Sequence, residues 1–279
     1  MTSSSSVPTI ALNSGTRIPQ LGFGVFRVDP EETTRVVSDA LEVGYRHIDT
    51  AAIYGNEDGV GAALKASGIP RDELFITTKL WNSHHTNAQA AIDDSLQKLG
   101  LDYVDLYLIH WPTPNKDTFV QAWKSLIDIA ESGKARAIGV SNFFAEHLQR
   151  VIDETGVTPA VNQVELHVNF QQNDLRAFDL RNGIATEAWY PLGGGTVSDA
   201  PELKAIADEH GKTVAQTILR WHLHAGNVVI PKSTHKARMA ENFDVFDFSL
   251  TDAELSTIAT LDRGDDGRAG GHPLEVGNQ

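Results

Sequence analysis

Ionisable side chains stand at the ends of three successive apolar runs in the first part of the chain. The run YRHID ends on Asp49 and is followed closely by Tyr54, LFITTK ends on Lys79, and VDLYLIH ends on His110. A phenol, an ammonium, a carboxylate and an imidazole in one place can move a proton to or from a substrate oxygen. Taken singly, each has an ordinary structural explanation, as a cap, a solvated charge or part of the core. Their joint placement indicates a proton-transfer site.

These side chains can meet only if the apolar runs are parallel strands that end at the same edge. The candidate strands begin near Leu21, Tyr45, Leu74, Val104, Ala135, Ala160, Ile184 and Val228. Longer segments with helical spacing of apolar residues separate them. A strand and a helix repeated eight times predict an α/β fold, either a closed (β/α)8 TIM barrel or an open doubly wound sheet. Eight similar units without a break in composition favour the barrel, in which reactive side chains collect at the carboxyl ends of the strands.

Helix boundaries carry recognisable signals. Asp29 followed by Pro-Glu-Glu predicts the start of a helix, and Gly44 predicts its end. Two later helical segments are predicted to end at Gly100 and Gly133.

The two ends of the chain are expected to depart from the regular repeat. An N-terminal β-hairpin is predicted around Asn13-Ser14-Gly15. Extra helices are predicted near the C-terminus, among them PELKAIADEHG before TVAQTILRWHLHAG. The Gly-rich end, GDDGRAGGHPLEVGNQ, is typical of a tail or loop. No linker divides the sequence, so residues 1–279 are predicted to form a single barrel domain.

Composition limits the possible partners and chemistries. The formal net charge is −14, which disfavours non-specific binding to nucleic acid or an anionic membrane. The chain has no cysteine, which excludes disulfides, thiolate metal sites and cysteine nucleophiles. The segment Met1–Val7 is polar rather than a signal peptide, and no apolar run approaches the ~20 residues of a membrane span. We expect a cytoplasmic monomer with no nucleic-acid or membrane partner.

Three longer motifs resemble the signatures of the aldo-keto reductase family. GYRHIDTAAIYGNEDGVG resembles the first signature, VDLYLIHWP the middle one and IPKSTHKARMAENFDVF the last, so the resemblance runs nearly end to end. AVNQVELH, LRWHL and VFDFSLT are most similar to the bacterial diketogluconate reductase branch. The resemblance implies a (β/α)8 enzyme that reduces aldehydes and ketones with hydride from NADPH. Dicarbonyls such as methylglyoxal, sugar-derived ketoacids such as diketogluconate, and aromatic aldehydes are all expected as small-molecule substrates.

The resemblance also assigns roles to the strand-end residues. Tyr54 would be the general acid that protonates the carbonyl oxygen as hydride arrives. A free phenol titrates near pH ~10, and the ammonium of Lys79 would lower that value by favouring the phenolate. Asp49 would pair with Lys79 and hold it, while His110 would hydrogen-bond the carbonyl oxygen.

Cofactor-binding residues follow from the same resemblance. The nicotinamide amide would meet Ser141, Asn142 and Gln163, and its ring would stack on Trp189. Pro191 and Leu192 would lie near the pyrophosphate, just before a Gly-rich loop. The 2′-phosphate would be held at the start of a helix by Lys232, Ser233, Thr234 and Arg238, a group of donors that is unusual in so acidic a chain. Glu241 and Asn242 would meet the adenine.

The substrate pocket also follows from the resemblance. It would be lined by Phe26, Trp81 and Trp111, with the tail near His272.

Two other classes of protein compete with this interpretation. One is an NADP(H)-binding regulatory subunit with little turnover, which the four intact catalytic positions disfavour. The other is a metal-dependent isomerase or hydrolase on the same fold. His84-His85 and His222-x-His224 lack a carboxylate or third ligand nearby in the sequence, so no metal is expected.

Overall fold

The structure of the protein, a computed structural model, describes residues 7–195 and 199–276. Most of the polar N-terminal segment noted above, residues 1–6, therefore lies outside the described residues.

A parallel barrel forms the body of the fold. Its strands, paired in chain order, are β3 (Phe23–Gly24), β4 (His47–Asp49), β5 (Phe75–Leu80), β6 (Val104–Ile109), β7 (Ala135–Ser141), β8 (Val161–Glu165), β9 (Ala185–Trp189) and β10 (Val228–Val229). The sheet closes on itself through a parallel bridge between Leu21 and Val229, where the Gly22 N–H donates to the Val229 carbonyl at 2.8 Å. The predicted TIM barrel is confirmed.

Helices alternate with these strands. They are α1 (Pro30–Val43), α2 (Glu57–Ser67), α3 (Ala88–Leu99), α4 (Phe119–Glu131), α5 (Ala145–Thr155), α6 (Asn173–Arg181), α7 (Pro201–His210), α8 (Val214–His224), α9 (Lys236–Phe243) and α10 (Asp252–Ala259). The predicted extra helices near the C-terminus are present as α7, before α8, and α10, after the last barrel strand. In the part of the chain described, no helix has the length and apolar character needed to cross a membrane.

The helix ends follow the local signals in the sequence. At the start of α1, Asp29 Oδ1 accepts the Glu31 N–H at 3.1 Å, and Gly44 ends the helix at φ 127°, which is unfavourable for other residues. Gly100 ends α3 as predicted. The predicted end of α4 at Gly133 is late by one residue, because Ser132 already forms the cap.

The two ends of the barrel differ in polarity. The hairpin of β1 (Thr9–Ala11) and β2 (Arg17–Pro19), confirmed as predicted, packs Leu12 and Ile18 into an apolar cluster that contains Phe75 and Leu106. Burying one such aliphatic side chain stabilises the fold by roughly 1.5–3 kcal/mol. The ionisable side chains singled out in the sequence lie at the opposite end, where the strands finish.

Candidate active site

A buried ion pair links β4 and β5 at this polar end. The register pairs Asp49 with Thr77, and Lys79, two residues further along β5, lies on the same face because side chains alternate along a strand. Lys79 Nζ donates to Asp49 Oδ1 at 2.6 Å and to the Thr50 carbonyl at 2.9 Å. Both side chains are almost fully buried. The ammonium is thereby fixed in position.

Tyr54 lies directly above this ion pair. A short 3₁₀ turn, Ala52–Tyr54, follows β4 and places the Tyr54 hydroxyl 3.5 Å from Lys79 Nζ. His110, at the end of β6, presents its ring edge-on to Tyr54 with centroids 5.7 Å apart. The structure thus brings together the four ionisable side chains singled out in the sequence.

Burial and charge fix the protonation of this group. Burial raises the pKa of Tyr54, although Lys79 acts to lower it. The net shift of the Tyr54 pKa is therefore upward, whereas the sequence led us to expect a lowered pKa. The expectation included the effect of the Lys79 ammonium but not the effect of burial. Burial acts to lower the pKa of Lys79, but Asp49, Tyr54 and Glu187 outweigh it, so the side chain is an ammonium. Burial and Lys79 hold the pKa of His110 well below its usual range, so the imidazole is neutral.

A second buried acidic side chain, Glu187, lies beside the ion pair, and sequence reasoning missed it. Gln163 Nε2 donates to Asp49 Oδ2 at 2.7 Å and to Glu187 Oε2 at 3.0 Å. Because β4 and β8 are not neighbours, the bond between Gln163 and Asp49 crosses the barrel interior, whereas Gln163 and Glu187 are paired on the adjacent strands β8 and β9. Glu187 lies inside β9 rather than at a strand end, where the sequence predicts reactive side chains. A lone Glu in the otherwise apolar run IATEAW was the available signal.

The predicted nicotinamide residues form one hydrogen-bonded group. Ser141 Oγ donates to the Gln163 carbonyl at 2.7 Å, and Asn142 Nδ2 donates to the His110 carbonyl at 3.0 Å. Trp189 Nε1 donates to Asn142 Oδ1 at 2.8 Å. The half-buried indole therefore lies at the same strand ends as Tyr54 and His110.

The loop after β9 is tied to α8. The Pro191 carbonyl accepts from His222 Nε2 at 3.2 Å, and Leu192 packs against the apolar core. Burial lowers the pKa of His222 to about 3, so this histidine is a neutral hydrogen-bond donor. The loop continues as a 3₁₀ turn, Gly193–Gly195.

A basic group lies around the start of α9. Lys232 and Arg238 are exposed and form no ion pair with the residues that the structure describes, whereas Lys236 is engaged by Asp39 and Glu42 of α1. Ser233 Oγ accepts the His235 N–H at 3.1 Å, and Thr234 beside it is half-buried.

The two predicted adenine residues lie further along α9. Glu241 Oε1 accepts from Thr213 Oγ1 at 2.8 Å, so one of its oxygens is already engaged. Asn242 is buried.

Aromatic side chains surround Tyr54 and His110. The Phe26 ring lies 5.0 Å from that of Tyr54, and the Trp81 ring meets His110 edge-on at 5.2 Å. Trp111 is buried beside His110. His272 packs against Phe144 with ring centroids 5.6 Å apart.

The C-terminal tail is fastened over the same strand ends by a residue that the sequence analysis did not identify. Glu165, at the end of β8, accepts the N–H groups of Ala269 at 2.6 Å and Gly270 at 2.9 Å. His167 Nε2 lies 3.1 Å from the same carboxylate. Gly270 approaches Trp189 so closely that a Cβ atom would lie 2.3 Å from the indole ring. The described part of the segment predicted as a tail or loop thus forms a fixed wall beside Trp189.

A phenol, an ammonium–carboxylate pair and a neutral imidazole at the carboxyl ends of a (β/α)8 barrel define a carbonyl oxidoreductase. The chain belongs to the aldo/keto reductase family, whose model matches residues 20–263, which confirms the resemblance seen in the sequence. Members of this family are NADP(H)-dependent oxidoreductases, and this chain is one of them. Across the described ranges, no cluster of three or more His, Asp or Glu side chains could hold a metal ion.

Relatives and solved structures agree with this assignment. The chain is 56% identical over 259 residues to a methylglyoxal reductase DkgA of Yersinia pestis, which covers 92% of this chain and 94% of that protein. It is similar to the crystal structure of an aldo/keto reductase from Brucella melitensis, with a TM-score of 0.89 and 55% identity over 92% of this chain and 100% of the other. The chain is also similar to a mutant of Gox0644 solved in complex with NADPH, with a TM-score of 0.92 and 44% identity. This match covers 96% of this chain and 98% of the other.

Proposed function

We propose that this protein reduces small aldehydes and ketones to alcohols with NADPH, and that Tyr54 is its general acid. The observation that carries the proposal is the position of Lys79 Nζ, bonded to Asp49 and 3.5 Å from the Tyr54 hydroxyl. Methylglyoxal, the substrate in the name of the Yersinia pestis relative, is proposed as one substrate. Sugar-derived ketoacids such as diketogluconate and aromatic aldehydes are proposed as others.

The residues at the strand ends suit NADPH. Lys232 and Arg238 offer cations without an ion-pair partner among the described residues, which fits a 2′-phosphate. Ser141, Asn142 and Gln163 offer hydrogen-bonding groups for a carboxamide, and the Trp189 indole offers a flat face for the ring. When bound, NADPH supplies the hydride.

The chain's own side chains then manage the proton and the developing charge. Tyr54 donates its proton to the carbonyl oxygen as negative charge grows there, and the adjacent ammonium of Lys79 stabilises the resulting phenolate. Asp49 keeps the ammonium in place. His110, neutral and edge-on to Tyr54, donates a second hydrogen bond that orients the carbonyl oxygen.

The walls of the proposed pocket favour compact substrates with an apolar or aromatic side. The Phe26 ring packs on that of Tyr54, and Trp81 and Trp111 pack beside His110. The tail held by Glu165 closes the side next to Trp189. A small dicarbonyl fits within these walls, and an aryl group would pack on them.

The experiment follows the loss of NADPH absorbance with methylglyoxal, a diketogluconate and an aromatic aldehyde in parallel. Turnover of at least one carbonyl, with NADPH preferred over NADH, supports the proposal. Tight NADPH binding without turnover of any carbonyl would instead support the regulatory subunit considered above.

We propose further that the chain acts as a monomer in the cytoplasm and that residues 1–279 form one domain. In the described ranges, the barrel elements follow one another without a linker from the hairpin to α10. Light scattering at working concentrations should give the mass of a single chain. Unfolding followed by different probes should show one common transition.

A further inference from the structure

Glu187 is a buried acid that the proposed reaction leaves without a role. Its side chain is fully buried inside the barrel, where Oε2 accepts from Gln163 Nε2 at 3.0 Å. Oε1 has no hydrogen-bond partner within the described residues and lies 3.6 Å from His47 Nε2. Burying a carboxyl group costs free energy unless hydrogen bonds or a paired charge compensate for the lost water.

The contact with Gln163 determines which way that amide faces. Asp49 is paired with an ammonium and can only accept, so the atom of Gln163 that lies 2.7 Å from Asp49 Oδ2 must be the NH2 group. The same nitrogen lies 3.0 Å from Glu187. Both of its protons are therefore committed inside the barrel, and the carbonyl oxygen Oε1 is turned away from the two acids.

We propose that Glu187 is a positioning residue for the cofactor: with Asp49 it fixes the Gln163 amide so that Oε1 accepts from the nicotinamide carboxamide. This inference rests on the proposed function, because it takes Gln163 as a nicotinamide ligand. Without Glu187, one amide proton of Gln163 would have no partner inside the barrel, and the side chain could turn its NH2 group towards the NH2 group of the carboxamide. Two donors cannot bond to each other, so nicotinamide binding would weaken.

The groups around Glu187 determine its pKa and hence its charge. The titratable groups that face it are Asp49 and His47 from β4, Lys79 from β5 and Tyr54 above them. Burial first, and then Asp49, raise the pKa of Glu187 to about 8, while Gln163 and Lys79 lower it. Burial lowers the pKa of His47 to about 3. The raised pKa favours the neutral form of Glu187, which can still accept a hydrogen bond and adds no second negative charge beside the Asp49–Lys79 pair.

The test compares two variants with two ligands. Glu187→Met removes the acceptor and keeps the length of the side chain, whereas Glu187→Gln keeps a neutral acceptor oxygen. Dissociation constants are measured by calorimetry for NADPH and for 2′-phospho-ADP-ribose, which lacks the nicotinamide. Loss of one hydrogen bond predicts that Glu187→Met binds NADPH about 2- to 10-fold more weakly. Its affinity for 2′-phospho-ADP-ribose should be unchanged, and Glu187→Gln should bind both ligands like the wild type.

A matched control is Glu57→Gln. Glu57 is equally buried and accepts from Thr78 Oγ1 at 2.6 Å, but it lies between α2 and α3 on the outside of the barrel. It should leave both affinities unchanged. Equal weakening of both ligands by Glu187→Met, or no weakening of NADPH, would overturn the proposal. So would a Glu187→Gln variant that loses as much NADPH affinity as Glu187→Met. None of these binding measurements requires turnover. The proposal for Glu187 can therefore be refuted without refuting the proposed reductase activity, and the reverse also holds.

A measurement on the wild type keeps the inference testable if Glu187→Met does not fold. The side-chain amide resonances of Gln163 can be assigned by NMR from their absence in Gln163→Glu. Both protons should exchange slowly with water before and after NADPH is added. Rapid exchange of either proton would contradict the inward orientation.

Discussion

Trp189 and Asn142 are joined by a hydrogen bond of 2.8 Å from the indole nitrogen to Oδ1. Asn142 holds its backbone at φ 63°, in the left-handed region, and anchors its own side chain on the His110 carbonyl. The indole is therefore fixed on a rigid partner at the end of β7. Its free face can serve as a platform for a ring.

This fixed indole leads to a fluorescence prediction. NADPH should quench the tryptophan emission of the wild type, and Trp189→Ala should remove much of that change because the stacked ring is lost. Trp123→Phe, which alters a fully buried tryptophan of α4, should leave the quenching as it is. Quenching that persists unaltered in Trp189→Ala would place the nicotinamide elsewhere.

The Lys79–Asp49 pair should control the pH dependence of the reverse reaction. Lys79 lowers the pKa of Tyr54 against the effect of burial, so removing its charge should raise that pKa further. Alcohol oxidation needs the phenolate as a base, and its rate profile should therefore move to higher pH in Lys79→Met. The charge of Asp49 by itself raises the pKa of Tyr54, so Asp49→Asn should move the profile to higher pH only through Lys79, whose ammonium then loses the partner that opposes its burial.

Because Asp49 acts through Lys79, the two substitutions should also be non-additive. A double-mutant cycle on kcat/KM measures this coupling. Strictly additive losses would mean that the carboxylate and the ammonium act independently.

Cofactor preference should depend on Arg238. A charge-assisted hydrogen bond is worth about 1.5–3 kcal/mol, so Arg238→Ala should weaken NADPH by roughly 10- to 150-fold. NADH lacks the 2′-phosphate, and its affinity should change by less than about threefold. The preference should also shrink as salt rises, because the side chain is exposed.

Lys236→Ala is the matched control for this substitution. Lys236 begins the same helix but is paired with Asp39 and Glu42, so its removal should have a smaller effect on NADPH. Equal losses of NADPH and NADH in Arg238→Ala would mean that the residue supports the fold or the adenine instead.

A buried acid on α6 should make stability depend on pH. Burial raises the pKa of Asp179 to about 7, although Thr186 and Asn162 act to lower it. The stabilisation from a raised pKa is complete below the unfolded value, near ~4, and is lost as pH rises through about 7. The free energy of unfolding of Asp179→Asn relative to wild type should therefore rise by up to about 4 kcal/mol between pH 4 and pH 8.

Urea unfolding at the two pH values measures this difference, with the exposed Asp208→Asn on α7 as the control. A pH-independent difference for Asp179→Asn would show that the carboxyl is ionised in the folded protein.

The sequence was sufficient for the fold because its signals are local and repeated. Asp29, Gly44 and Gly100 act through backbone groups within one turn, and the eight apolar runs lie where the barrel strands lie. The sequence also predicted that Asp49, Lys79 and His110 lie close together, because each ends a strand and parallel strands bring their ends together.

Contacts between distant parts of the chain could not be read in this way. Gln163 bonds to Asp49 across the barrel, and Glu165 binds backbone N–H groups of a tail about a hundred residues further along the chain. The direction of the Tyr54 pKa shift was also wrong, because burial depends on the whole fold and outweighs the one charge that the motif revealed.

The central claim, that Tyr54 supplies the proton, is tested most directly by Tyr54→Phe. The variant keeps the ring that packs against Phe26 and loses only the hydroxyl beside Lys79. NADPH affinity should stay at the wild-type value, while kcat for methylglyoxal should fall by about 10²–10⁴-fold, the usual contribution of a general acid. A variant that binds NADPH normally and retains more than about a tenth of the wild-type kcat would contradict the assignment.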